Sequence, residues 1–214
     1  MSGTSASEDT PEGRQIVHIV DDDANTRATL TRLVGELGFE AVAYASGPEF
    51  LANLPETDLA CLLLDYHMEE LSGLDTLKEL RRRNVQLPVV MMNGQGDVRL
   101  AVEAMKLGAS DFIEKPHDLD GLRIALQEAC ERSLEQHIKA GERTRAQDII
   151  NALTPRERDV FNLLILGHST KQVARDLNLS PRTVDVYRAG LYQKTLSSGI
   201  ADLVRLAFHA GILE

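Results

Sequence analysis

From residue 16 to residue 130 the sequence repeats one pattern five times: a short run that is apolar almost throughout, then a stretch whose apolar residues recur at helical spacing. The runs are Ile16 to Val20, Ala41 to Tyr44, Ala60 to Leu64, Pro88 to Met92 and Phe112 to Ile113. A strand with one wet face alternates polar and apolar residues, so a strand apolar throughout is covered on both faces. In the first intervening stretch Leu30, Leu33, Val34 and Leu37 fall at i, i+3, i+4 and i+7, and Gly38 supplies the stop. The second opens on Ser46, Pro48 and Glu49, a capping box, before Phe50, Leu51 and Leu54. Leu74, Leu77 and Leu80 line the third; Val98, Ala101, Val102 and Met105 line the fourth, which Gly108 ends. The pattern predicts an α/β doubly wound domain, a five-stranded parallel sheet with helices on both faces.

In such sheets ligands bind beyond the carboxyl ends of the strands. The first run leads into Asp21, Asp22 and Asp23; the third ends at Asp65, the fourth at Asn93 and the fifth at Lys115. One strand-end aspartate is an ordinary loop former, but this fold gathers all of these residues at one rim. Clustered carboxylates repel unless a cation sits among them, and a few oxygen ligands with room for phosphate oxygens suit Mg²⁺. A carboxylate can attack a phosphoryl group to give an acyl phosphate when a cation and a lysine ammonium neutralise the equatorial oxygens. Asp65 is then the candidate nucleophile.

Through HIVDDD, LLLDYHM, the NGQGD stretch and DFIEKP, residues 14 to 135 resemble the receiver domains of response regulators. The resemblance implies a flavodoxin-like fold with Asp65 as phospho-acceptor. It implies that Asp22 and Asp65 ligate Mg²⁺ directly, Asp21 through water, and His67 through its backbone carbonyl. It further implies that Lys115 pairs with the phosphoryl group and that the Lys115–Pro116 bond is cis. Independently, a proline at 116 pushes Lys115 out of helical geometry, which helps present its side chain at the rim. Asn93 stands where the family usually has Thr or Ser, whose hydroxyl moves toward the phosphoryl group while an aromatic at the position of Phe112 turns inward. Asn93 offers a longer, planar amide instead, which bears on coupling rather than on phosphorylation. Glu69 stands where the family usually has proline, adding negative charge beside Glu70 near a site that receives a dianion.

Beyond Leu119, the positions Leu122, Leu126, Ala129 and Cys130 form an apolar stripe, and a charged stretch with few breakers follows. Its apolar residues do not keep a heptad, so a solvated helical linker is expected over 134–148. Thr154-Pro155-Arg156-Glu157 then opens a helix with a capping box and proline at its first position, and Gly167 stops it. Ser169 caps the next helix, Asn178-Leu179 turns the chain, and Ser180-Pro181 starts a third, which together make a helix-turn-helix. At about 100° per residue, Val184, Tyr187 and Leu191 share the core face of the third helix. Arg182, Val186, Ala189, Gly190 and Gln193 share the other. Val186 suits a thymine methyl and Arg182 or Gln193 polar base contacts, while Arg188 and Lys194 suit phosphates; Lys171, Ser180 and Thr183 complete the candidate DNA-binding set. Geometry alone equally allows an amphipathic three-helix core with a solvated face. Residues 151 to 214 hold eight Lys/Arg against six Asp/Glu, in a chain whose net charge is −10. That asymmetry permits nucleic acid at one end and cation chemistry at the other.

LTPRERDVFNLL, GHSTKQVARDLNLSPRTVDVYR and LVRLA, over about residues 149 to 211, are similar to the FixJ/NarL type of output domain shared with LuxR-type regulators. The resemblance implies a final helix, Asp202 to Ala210, that pairs two copies on a two-fold DNA site. The expected organisation is a tail over 1–14, a receiver over 15–133, the linker, and a helix-turn-helix domain over 149–214. The expected function is a response regulator and transcription factor, not an enzyme beyond its own phosphotransfer and dephosphorylation. Its partners would be a sensor histidine kinase, promoter DNA, a second copy and RNA polymerase. Two rivals keep part of the chemistry: a phosphorylation-independent regulator rewired at Asn93, and a Mg²⁺-dependent phosphotransferase, which lacks a second general acid where His67 stands. The acidic tail has no secretory pattern, no run suits a membrane span, and Cys61 and Cys130 lack metal-ligand spacing. A cytoplasmic protein is expected.

Overall fold

The computed structural model describes residues 15–55, 59–94, 97–115 and 119–213, so the expected 1–14 tail and the Lys115–Pro116 bond lie outside the described residues. Contacts divide the chain into two compact units, Met1–His137 and Ile138–Glu214. No described helix is long and apolar enough to cross a membrane.

In the first unit the elements alternate as the apolar runs require: β1 (Ile16–Val20), α1 (Ala24–Glu36), β2 (Glu40–Tyr44), α2 (Gly47–Ala52), β3 (Ala60–Asp65), α3 (Gly73–Arg82), β4 (Val89–Asn93), α4 (Val98–Lys106), β5 (Asp111–Glu114) and the start of α5 (Leu119–Asn151). The sheet is parallel, in the order β2-β1-β3-β4-β5. β3 and β4 are buried at every position, and alternate side chains feed two cores. Leu62, Leu64 and Met91 join Phe50, Leu77 and Leu80 on one face, whereas Val17, Ile19, Leu63 and Met92 meet Leu30, Val34, Leu122 and Leu126 on the other. Burial on both sides is what removed polar alternation from these strands.

Two local expectations are corrected. Glu49 does not complete a capping box: Ser46 accepts from the Glu49 N–H, but the Glu49 carboxylate takes the Ala45 N–H at 2.7 Å. On α4 the periodic stripe does not face the core. Val98 is 74% exposed and Val102 and Met105 47% each, and Ala104 is the buried residue. α4 lies by β5, a four-residue edge strand with no position fully buried, so there is too little sheet to cover the stripe.

The second unit contains α6 (Pro155–Ile165), α7 (Thr170–Asp176), α8 (Pro181–Lys194) and α9 (Ile200–His209). Both expected caps close as reciprocal capping boxes, Thr154 with Glu157 and Ser169 with Gln172. Asn178, at φ 55, turns the chain between α7 and α8. Val160, Phe161, Val173, Ala174, Val184, Leu191, Leu203 and Ala207 form the core, together with Ala146 and Ile150 from the end of α5. Residues 134–145 of α5 are exposed throughout.

Candidate functional site

Strand register places the chemistry. β1 and β3 are adjacent and parallel, with Val20 opposite Leu64, so Asp21 and Asp65 follow one another across the same rim. Asp65 pairs with Met92 on β4, which brings Asn93 to the same level, and Asn93 pairs with Glu114, which brings Lys115 there too. The connection after β1 leads away from β3 to β2 on the other side, which opens the crevice typical of doubly wound sheets.

Asp21 is 1% and Asp65 6% exposed, whereas Asp22 faces solvent. Each of the three offers one carboxylate oxygen, and these lie within 4.8 Å of one another. The Lys115 ammonium bridges the buried pair, 2.7 Å from Asp21 Oδ2 and 2.9 Å from Asp65 Oδ1. Its backbone N–H is fixed by the Asn93 carbonyl at 2.7 Å. Burial raises the Asp65 pKa; Lys115 opposes this, and Asp21 and Asp22 reinforce it. For Lys115, burial alone would favour the neutral amine, but hydrogen bonds to Asp21 and Asp65 outweigh it and the pKa rises. The site therefore holds a charged lysine against crowded carboxylates, an arrangement with negative charge in excess and hard oxygen donors, which fits a small divalent cation.

The surrounding scaffold is built from hydrogen bonds that the strand pattern did not disclose. Asp23 caps α1 by accepting from the Thr26 N–H, and its own N–H donates to Asp21 Oδ1 at 2.9 Å. Arg27, one turn into α1, donates to the Asp21 carbonyl at 2.7 Å. Across the cleft the Glu69 N–H donates to Asp22 Oδ2 at 3.0 Å. His67 is exposed in the loop after β3, its ring edge-on to Tyr66. Asn93 is fully buried at the end of β4, and Phe112, half-buried, packs on the β-sheet core.

In the second unit Val184 and Leu191 are buried and Tyr187 packs against them, leaving Arg182, Val186, Ala189 and Gln193 open on the opposite face of α8. Lys171 is open as well. The other sequence candidates are engaged within the unit. Ser180 caps α8 through the Thr183 N–H, with the two hydroxyls 2.8 Å apart. Arg188 donates to Thr170 Oγ1 at 3.2 Å. Lys194 donates to Glu157 Oε2 at 2.8 Å, and that carboxylate also takes the Thr154 N–H. Glu157 was legible as a helix cap, but nothing in its spacing announced a partner on α8.

A family model described as "Response regulator receiver domain" matches residues 17–127, and one described as "Bacterial regulatory proteins, luxR family" matches residues 151–207. The transcriptional regulatory protein FixJ of Azorhizobium caulinodans is 41% identical over 196 residues, 92% of this chain and 93% of that protein. FixJ of Bradyrhizobium diazoefficiens is 41% identical over 201 residues, 92% of this chain and 97% of that protein. Among solved structures, the response regulator StyR matches with a TM-score of 0.80 and 30% identity, over 92% of this chain and 99% of that one. Full-length FixJ from B. japonicum matches with a TM-score of 0.56 and 37% identity, over 94% of this chain and 98% of that one.

Proposed function

The chain belongs to the two-component response regulators, with a receiver domain followed by a LuxR-type DNA-binding domain, and on that footing we propose that Asp65 accepts a phosphoryl group from a sensor histidine kinase. The observation that carries this reading is the Lys115 ammonium set between Asp21 and Asp65 at the strand rim. An Asp65 carboxylate oxygen forms the new bond to phosphorus while the phosphorus–nitrogen bond of the donor phosphohistidine breaks and the imidazole departs with the electron pair. Lys115, released from part of its contact with Asp65, pairs with a phosphoryl oxygen. Asp21, Asp22 and Asp65, with the His67 carbonyl, would hold Mg²⁺, which when bound neutralises charge on the phosphoryl oxygens.

Phosphorylation then alters the surface of α4 and β5, and two copies pair and bind promoter DNA, where RNA polymerase is the final partner. Support for pairing through the receiver comes from Val98, Val102 and Met105, apolar residues that α4 leaves in water. α8 reads the major groove through Arg182, Val186, Ala189 and Gln193; Lys171 and Arg188 reach phosphates, and Lys194 and the Ser180–Thr183 cap orient the helix. Pairing joins two modest half-sites and raises affinity through effective concentration.

A second reading rests on Asn93, fully buried where a switch hydroxyl would otherwise stand: DNA binding independent of phosphorylation. Binding to promoter fragments by wild type and Asp65→Asn, each with and without acetyl phosphate and Mg²⁺, separates the two. Tighter binding only for phosphodonor-treated wild type supports the proposal. Equal binding in all four states overturns it in favour of the Asn93 reading.

A further inference from the structure

We propose that the backbone N–H of Glu69 is a positioning group for the cation site, a clasp that keeps the exposed Asp22 carboxylate beside Asp21 and Asp65. The inference rests on reading Asp22 as a Mg²⁺ ligand.

The three carboxylates are not held alike. Asp21 and Asp65 are buried and share the Lys115 ammonium, and Asp21 also accepts the Asp23 N–H. Asp22 has no such anchorage. It faces solvent, on a cleft of about 280 Å³ lined by Asp22, Tyr66, His67, Met68, Glu69 and Ser72. Repulsion from two neighbouring carboxylates favours its swinging out into water, where its charge is better solvated. Among the described residues, the only hydrogen bond its carboxylate receives is the one from the Glu69 N–H at 3.0 Å.

That bond is charge-assisted, and it ties the loop after β3 to the residue that follows Asp21, across 47 positions of sequence. A carboxylate has two oxygens, so one can keep the amide while the other faces a cation. The effect belongs to the backbone and depends on residue 69 being anything but proline, which has no N–H to donate. Glu69 therefore contributes in two opposed ways. Its amide orders a ligand, and its exposed side chain adds negative charge to the same loop.

Two substitutions separate the parts: Glu69→Ala keeps the amide and removes the charge, and Glu69→Pro removes both. Calorimetric titration of MgCl₂ into the full chain is expected to show Glu69→Ala binding at least as tightly as wild type. Glu69→Pro is expected to bind about fivefold more weakly than Glu69→Ala, which is ~1 kcal/mol at 1.4 kcal/mol per decade. Equal affinities for the two variants would overturn the clasp while leaving the cation site standing. Absence of Mg²⁺ binding by wild type would overturn the role of Asp22 and the clasp with it. A second measurement does not depend on the proline variant folding. In the wild-type amide NMR spectrum Glu69 is expected downfield, as an amide bonded to a carboxylate is, and Asp22→Ala is expected to move it upfield. A Glu69 resonance indifferent to Asp22→Ala would also sink the proposal.

Discussion

Replacing Gly73 by alanine strains the acceptor itself. Gly73 opens α3, and its N–H donates to the Tyr66 carbonyl at 3.0 Å. A Cβ there would lie 2.1 Å from the Asp65 carbonyl oxygen, 2.9 Å from its carbonyl carbon and 3.1 Å from Met91 Cε. Even a close C···O contact needs about 3.3 Å, so one backbone must retreat by about 1 Å. Neither can do so freely: Asp65 sits in β3, paired with β1 and β4, and α3 is pinned by the buried Leu74, Leu77 and Leu80. Overpacking of this kind costs ~1–3 kcal/mol, against which the lower chain entropy of unfolded alanine returns ~0.4–1 kcal/mol. A net loss of roughly 1–2 kcal/mol remains, on the order of 5–10 °C in Tm for a unit this size. Gly35 supplies the control. It is an exposed position of α1 where an added Cβ would have nothing within 4 Å, so Gly35→Ala is expected to stabilise by about 0.5–1 kcal/mol. Thermal and urea unfolding by circular dichroism, beside the rate of phosphoryl uptake from acetyl phosphate, reads both effects. Gly73→Ala matching wild type in stability and uptake would refute the steric reasoning.

Other outcomes follow from His18 in the first unit and Glu157 beside α8 in the second. His18 is buried against Tyr44 and Phe50, with Nδ1 3.2 Å from the Tyr44 hydroxyl, and burial lowers its pKa. The unfolded chain thus takes up a proton near pH 6.5 that the folded one refuses, so stability present above that pH declines as pH falls below it. The Tm of wild type should drop more between pH 7.5 and 5.5 than that of His18→Phe; parallel slopes would remove His18 from the account. Glu157, held to a pKa of about 2 by Lys194 first and then by the Thr154 N–H, is charged throughout the neutral range. Glu157→Ala loses the N3 half of the capping box and the partner of Lys194, and is expected to destabilise the second unit by about 1 kcal/mol, the net worth of one hydrogen bond. Its DNA affinity should fall even where it remains folded; unchanged affinity would show that the ion pair does not set α8.

The rim of the sheet was legible because strand periodicity and strand-end position are both local. Asp21, Asp65, Asn93 and Lys115 each close an apolar run, and parallel order carries them to one side. His18 escaped notice for the same reason, being one polar residue inside such a run. The face of α4 was misjudged because periodicity shows that a stripe exists but not that enough sheet is present to cover it, and β5 is too short. Contacts made by backbone groups left no trace in side-chain patterns. The Glu69 N–H on Asp22 and the approach of Gly73 to the Asp65 carbonyl depend on how the β3–α3 loop folds. The ion pair of Lys194 with Glu157 was equally illegible, since Glu157 lies 37 residues away on α6.

Intact-mass spectrometry after incubation with acetyl phosphate and Mg²⁺ tests the phosphoryl-acceptor role most directly. Wild type is expected to gain one phosphoryl group, labile to alkali and hydroxylamine as an acyl phosphate is, and Asp65→Asn is expected to gain none. A wild-type chain that stays unmodified, or an Asp65→Asn chain that gains the same labile mass, would contradict the account.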